Sequence, residues 1–275
     1  MVLLITPDIR TGGFDPDEPR DEHGRWSSGG DDAQTKTIVI PTKPHSVAYF
    51  NPAKRPKFMS NADVDARAEV LAKGEQDHKE HARIHNANGT ITRIDGTYGS
   101  VPLPKGLDLT GAIYHKNHPT TEHSINKNEL FLLLDAKSVF VHAANGSIYK
   151  AQLKPRVKAL PKYPLFGKGF IPNVFRFDQH SVLDQASKIA DKRMLDFAMA
   201  KRKGGVANYA SMYLTAAENR AQLLHDAGVI KYDKVVSPHT YVADERKFIN
   251  SWQRSNARYS AYLEIREVLK GVAVA

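Results

Sequence analysis

The chain has 275 residues, 41% of them hydrophobic and 25% charged, no cysteine, and a formal net charge of +9. That length can hold one large domain or two modest ones with a real core, and the missing cysteine excludes a disulfide framework, a thiolate zinc site and a cysteine nucleophile. No apolar run approaches the roughly 20 residues of a membrane-spanning helix, and the opening MVLLITPD is too short and lacks the basic flank of a secretory signal. No membrane contact is expected, and the expected setting is cytoplasmic or virion-associated.

Residues 6–36 are dense in Gly, Pro, Ser, Asp and Arg, with little to bury beyond Phe14 and Trp26, so a flexible N-terminal arm is expected over 1–59. Prolines in IPTKPHSVAYFNPAKRPKF forbid a regular helix there. Order is expected from Ser60. SNADVDARAEVLAKG has a Ser or Asn cap, early acidic residues, apolar Val64, Ala68 and Leu71, and a closing Gly74. HARIHNANGTITRID predicts a hairpin on the Asn88-Gly89 dipeptide, LTGAIYH a third strand, and NKNELFLLLDAK a short helix. SVFVHAANGSIYKAQL predicts a second hairpin around Asn145-Gly146. Together these define an α/β domain over 60–153.

A Pro- and Lys-rich connector is expected over 154–178, and a basic α-helical region over 179–275. From Ala151 onward roughly 21 Lys/Arg face 11 Asp/Glu, so this portion carries the whole positive excess. Such a balance suits nucleic acid or another acidic surface, and equally a solvated basic face. Lys201, Arg202 and Lys203 close one helix, where cations also favour the dipole; they are the candidate nucleic-acid or partner contacts. Phe248, Ile249, Trp252, Tyr259, Tyr262, Leu263 and Ile265 recur at helical spacing and are expected in the core.

The chemistry gathers in the middle. Glu80 precedes the first hairpin, the third strand runs into KNHP, and Asn126 and Glu129 follow Pro119 by seven and ten residues, with Leu130 next. This resembles the JAB/JAMM (MPN-like) metallopeptidase domain, in the compact forms of phage and mobile-element proteins, over about ninety residues. In that family two histidines and an aspartate hold zinc, a glutamate is general base to the zinc-bound water, and a serine helps stabilise the oxyanion. The resemblance places Glu80 as the base and His118 as the second histidine, but Lys116 at the first histidine, Asn126 at the serine and Glu129 at the aspartate.

An ammonium has no lone pair for a metal at neutral pH, and catalytic zinc generally needs three protein ligands plus water. Two unit charges 4 Å apart interact by about 4 kcal/mol at an effective dielectric of 20, so a dication beside Lys116 would be repelled by roughly twice that. The expectation is a metal-free pseudo-site, with Lys116 at the metal position paired to Glu80 or Glu129 and no cofactor favoured. The alternative is a zinc-dependent peptidase or isopeptidase with Glu80 and Asn126 catalytic and His115, His118 and Glu129 on zinc, His115 reaching the vacant position through a strand bulge; His123 is a further imidazole in that loop. His78, His81 and His85 have metal-ligand spacing only if one helix carries all three.

The arm's FDPDEPRDEHGRWSSGG resembles a linker of tailed-phage and prophage proteins near portal and head-morphogenesis components. Together the two resemblances imply a phage-type, virion- or head-associated protein with a phage or host protein partner.

Overall fold

The computed structural model describes residues 55–119, 124–161, 178–202, 207–237 and 243–272. The N-terminal arm, His123, Lys203 and most of the connector lie outside them. Among the described residues the chain is a mixed α/β protein: one six-stranded sheet with helices on both faces.

Ser60 starts helix α1 (Asn61–Asp77). Its hydroxyl accepts from the Asp63 amide, and the Asp63 carboxylate accepts from the Ser60 amide at 2.6 Å, a reciprocal capping box. The helix runs three residues past Gly74 and ends at His78, whose φ of 58° is left-handed. Gly74 is therefore not the stop that its type suggested. A Cβ there would lie 1.9 Å from Asn117 Nδ2 on the neighbouring strand, so the glycine serves close packing.

Strands β1 (His81–His85) and β2 (Ile91–Asp95) form the expected hairpin, with Gly89 at a φ of 83°. Strand β3 (Ile113–His118) pairs antiparallel with β1. Helix α2 (Lys127–Phe131) and a 3-10 turn (Leu132–Leu134) carry the chain over to β4 (Ser138–Ala143), parallel to β3, and β5 (Ile148–Leu153) returns antiparallel. After the short α3 (Pro155–Lys158) come α4 (Gln179–Arg202) and α5 (Ala207–Ala227). Then the region expected to be helical supplies a strand: β6 (Ile230–Val235) pairs antiparallel with β5 from Ile148↔Val235 to Leu153↔Ile230. Helices α6 (Ala243–Gln253) and α7 (Asn256–Val272) follow. The strand order is β2-β1-β3-β4-β5-β6.

Alternation of side chains sorts the sheet into two faces. Ile84, Tyr114, Val139, Val141, Tyr149 and Ala151 point into one hydrophobic cluster shared with Leu183, Leu224, Trp252 and Ile265. This core is continuous across residue 153. The opposite face carries Phe140 and Ile148 against Met59, Phe58 and Val64, where α1 packs. Phe248, Trp252 and Ile265 are buried as the helical spacing predicted, whereas Tyr259 and Leu263 are 61% and 43% exposed. Among the described residues no helix is long and apolar enough to cross a membrane.

Candidate functional site

Strand period decides what β3 presents. Tyr114, Lys116 and His118 fall on the face of the large core, while His115 and Asn117 fall on the α1 face. Glu80 comes in from just ahead of β1. Its carbonyl accepts from Gly96 and its amide donates to Thr97, both at 2.8 Å. A Cβ on Gly96 would meet the Glu80 carbonyl at 2.5 Å, so the glycine permits the close approach that fixes Glu80. Glu129 comes in from the first turn of α2, held by a second capping box: Asn126 Oδ1 accepts from the Glu129 amide at 3.0 Å, and Glu129 Oε2 accepts from the Asn126 amide at 2.7 Å.

These four side chains meet. Lys116 Nζ lies 2.7 Å from Glu80 Oε2 and 2.8 Å from Glu129 Oε1. His118 Nε2 lies 2.9 Å from the same Glu129 oxygen and 3.7 Å from Glu80 Oε1. All four residues are buried. Burial pushes the Glu129 carboxyl up, but His118 and Lys116 outweigh it and hold the carboxyl at about 2. Burial likewise works against the Lys116 ammonium, yet Glu129 and Glu80 raise its pKa above the ordinary lysine value. The cluster is a charged one, with carboxylates facing an ammonium. Tyr114 lies alongside; burial first, then Glu129 and Glu80, push its phenol far above the usual tyrosine range.

The ammonium occupies the point on which both carboxylates converge. A divalent ion at that point would have to displace the ammonium. Among the described residues no group of three or more His, Asp or Glu is placed to hold a metal.

His115 lies on the opposite face of the sheet from this cluster. No bulge shifts it, since β3 pairs residue for residue with β4, and its ring points away from His118. It packs against Phe140 and His142, with centroids at 4.6 and 5.4 Å, places Nδ1 3.1 Å from His142 Nε2, and turns Nε2 toward Asp63 Oδ1 at 3.2 Å. Asn126 serves as a helix cap. His78, His81 and His85 separate: His78 is the exposed left-handed cap of α1, His81 bridges Asp77 and Asp95 at 2.9 Å, and His85 ends β1. Lys201 is exposed at the end of α4, and the Arg202 side chain lies outside the described residues.

Two polar groupings escaped the sequence reading. The His115–His142–Asp63 cluster was hidden because its members come from β3, β4 and α1. The second grouping is a buried chain from Ser124 to Tyr232 at 2.5 Å and on to Glu218 at 2.8 Å, which also receives Lys234. It ties the segment just ahead of α2 to β6 and α5. No family model, curated protein or solved structure matches the chain.

Proposed function

We propose that this is a phage- or prophage-type protein whose JAB-like domain no longer performs peptidase chemistry and works as a binding or structural module, virion- or head-associated. One observation supports this reading above the rest: Lys116 Nζ stands between Glu80 and Glu129 within 2.8 Å of both. A glutamate acting as general base must take a proton from a water within hydrogen-bonding reach. Here one of the two Glu80 oxygens, Oε2, is ion-paired to an ammonium. Glu129 accepts from Lys116, His118 and the Asn126 amide, which leaves little capacity for a Lewis-acid ligand. The cluster instead ties α2 and the start of β1 onto β3 from the inside, which suits a structural role.

Metal content tests the reading. Protein equilibrated with zinc and then desalted should carry far less than one ion per chain, and His118→Ala should not change that content. One zinc per chain, lost in His118→Ala, would overturn the proposal and restore a peptidase with Glu80 as its base.

A further inference from the structure

Helix α1 packs on β1, β3 and β4 through a polar seat. Of the residues it buries, Asp63 and Arg67 are charged, and on the sheet below it His115, Asn117 and His142 are wholly buried. The apolar cluster described on this face fully buries Met59, Phe140 and Ile148, and the core on the other face is far larger. An element with so small a share of the apolar core opens at lower free energy than the core itself.

His142 stands at the centre of this seat. Its Nε2 lies 3.1 Å from His115 Nδ1, and its Nδ1 has no hydrogen-bond partner. One proton serves the contact between the two rings, and Asp63 Oδ1, 3.2 Å from His115 Nε2, draws another to that nitrogen. A further proton must sit on the unpartnered Nδ1 or set N–H against N–H, in a site without solvent. The described groups that bear on His142 are all basic: Arg67 from α1, and His115 and His118 from β3. Around them, β1 brings Arg83 and His85, and β5 brings Lys150. The carboxylates nearby, Asp63 of α1 and Asp233 of β6, act on His115 and on Lys150.

We propose that α1 is an acid-released cover, lifted off the Phe140 and Ile148 face of the sheet when His142 takes up a proton, while the large core stays folded. In the open state His142 titrates near the ordinary histidine value of 6.5, and in the closed state burial holds it well below. Opening therefore takes up a proton and is favoured as pH falls below 6.5. For one histidine the opening constant rises about 30-fold between pH 7.5 and 5.0. The ion pairs at the rim of α1 do not supply this response. Glu69 pairs with Arg93 and Arg83, and Asp95 with Lys73, and these partners hold both carboxyls below the ordinary range, so the pairs persist at pH 5. The device does not rest on the reading of the Lys116 cluster, which lies on the other face.

Hydrogen–deuterium exchange of the full chain, followed by mass spectrometry at pH 7.5 and 5.0 and corrected for the pH dependence of chemical exchange, tests it. Protection of the α1 amides should fall at least ~10-fold at pH 5.0, while α4 and α5 keep theirs. His142→Phe, and the smaller His142→Asn, should each remove the acid response. His78→Asn, at the exposed left-handed end of α1, should keep it. Unchanged α1 protection, loss in α4 and α5 in step with α1, or a response that survives both His142 variants would overturn the proposal.

Discussion

Replacing Lys116 by methionine keeps the side chain's length and removes the charge that two carboxylates share. Glu80 and Glu129 then face each other in a buried site, with His118 Nε2 at 3.7 and 2.9 Å as the nearest remaining partner. Removing one member of a buried ion pair leaves an uncompensated charge and costs about 3–5 kcal/mol. For a cooperative unit of roughly 200 residues that corresponds to a fall in Tm of about 6–20 °C. Acidity should shrink the loss. Glu129 is held at about 2, below the ordinary 4.5; its contribution to stability is therefore present above pH 4.5 and is lost as pH falls from there toward 2. Lys116→Met removes part of that contribution in advance. Urea unfolding of both proteins at pH 7 and pH 3.5 checks this. The difference should be several kcal/mol at pH 7 and clearly smaller at pH 3.5. A difference under about 1 kcal/mol at pH 7, or one indifferent to pH, would refute the claim that the ammonium holds the cluster together.

Asn126→Ala removes the cap of α2 and should lower stability by about 1 kcal/mol, with Asn126→Ser recovering most of it in the same unfolding assay. Gly74→Ala forces a Cβ against the Asn117 amide, which donates to the Lys79 carbonyl at 3.0 Å, while Asn117 Oδ1 accepts from His81 N at 2.5 Å. Thermal melts should show a loss of about 1–3 kcal/mol, where an exposed helical glycine would gain from alanine. His142 and His115 have pKa values pushed below the ordinary histidine value, by burial first, and for His115 against the pull of Asp63. A histidine with a depressed folded pKa contributes stability above pH 6.5 and loses it as pH falls toward the folded value. His142→Phe should therefore flatten the stability profile between pH 6.5 and 4.5; an unchanged profile would assign that slope to other groups.

Much of the middle of the fold was legible because its signals are local. Ser60 with Asp63 marked the start of α1, and Asn88-Gly89 and Asn145-Gly146 marked the two hairpins, whose glycines have φ of 83° and 92°. The pairing of Lys116 with Glu80 or Glu129 was expected only from the resemblance, which set these residues at matching positions; their spacing along the chain carries no such signal, and Lys116 pairs with both. His115 shows where that reasoning stopped. A strand of period two puts residue 115 opposite residues 116 and 118, so only a bulge could have brought it round, and uninterrupted pairing to β4 leaves no bulge. Strand β6 was obscured by its surroundings. In IKYDKV, Ile230 and Tyr232 alternate with Lys231 and Asp233, but six residues between long helical stretches carry a weak signal. Gly74 was misjudged because the neighbour that requires it, Asn117, is distant in sequence and close only once the sheet has formed.

The most direct test is anomalous diffraction at the zinc edge from crystals soaked in zinc at neutral pH. The Lys116 ammonium between Glu80 and Glu129 should leave no anomalous peak within about 3 Å of both carboxylates, the distance range of zinc–oxygen bonds with a margin. A full-occupancy tetrahedral zinc there, with the Lys116 side chain swung out, would contradict the account.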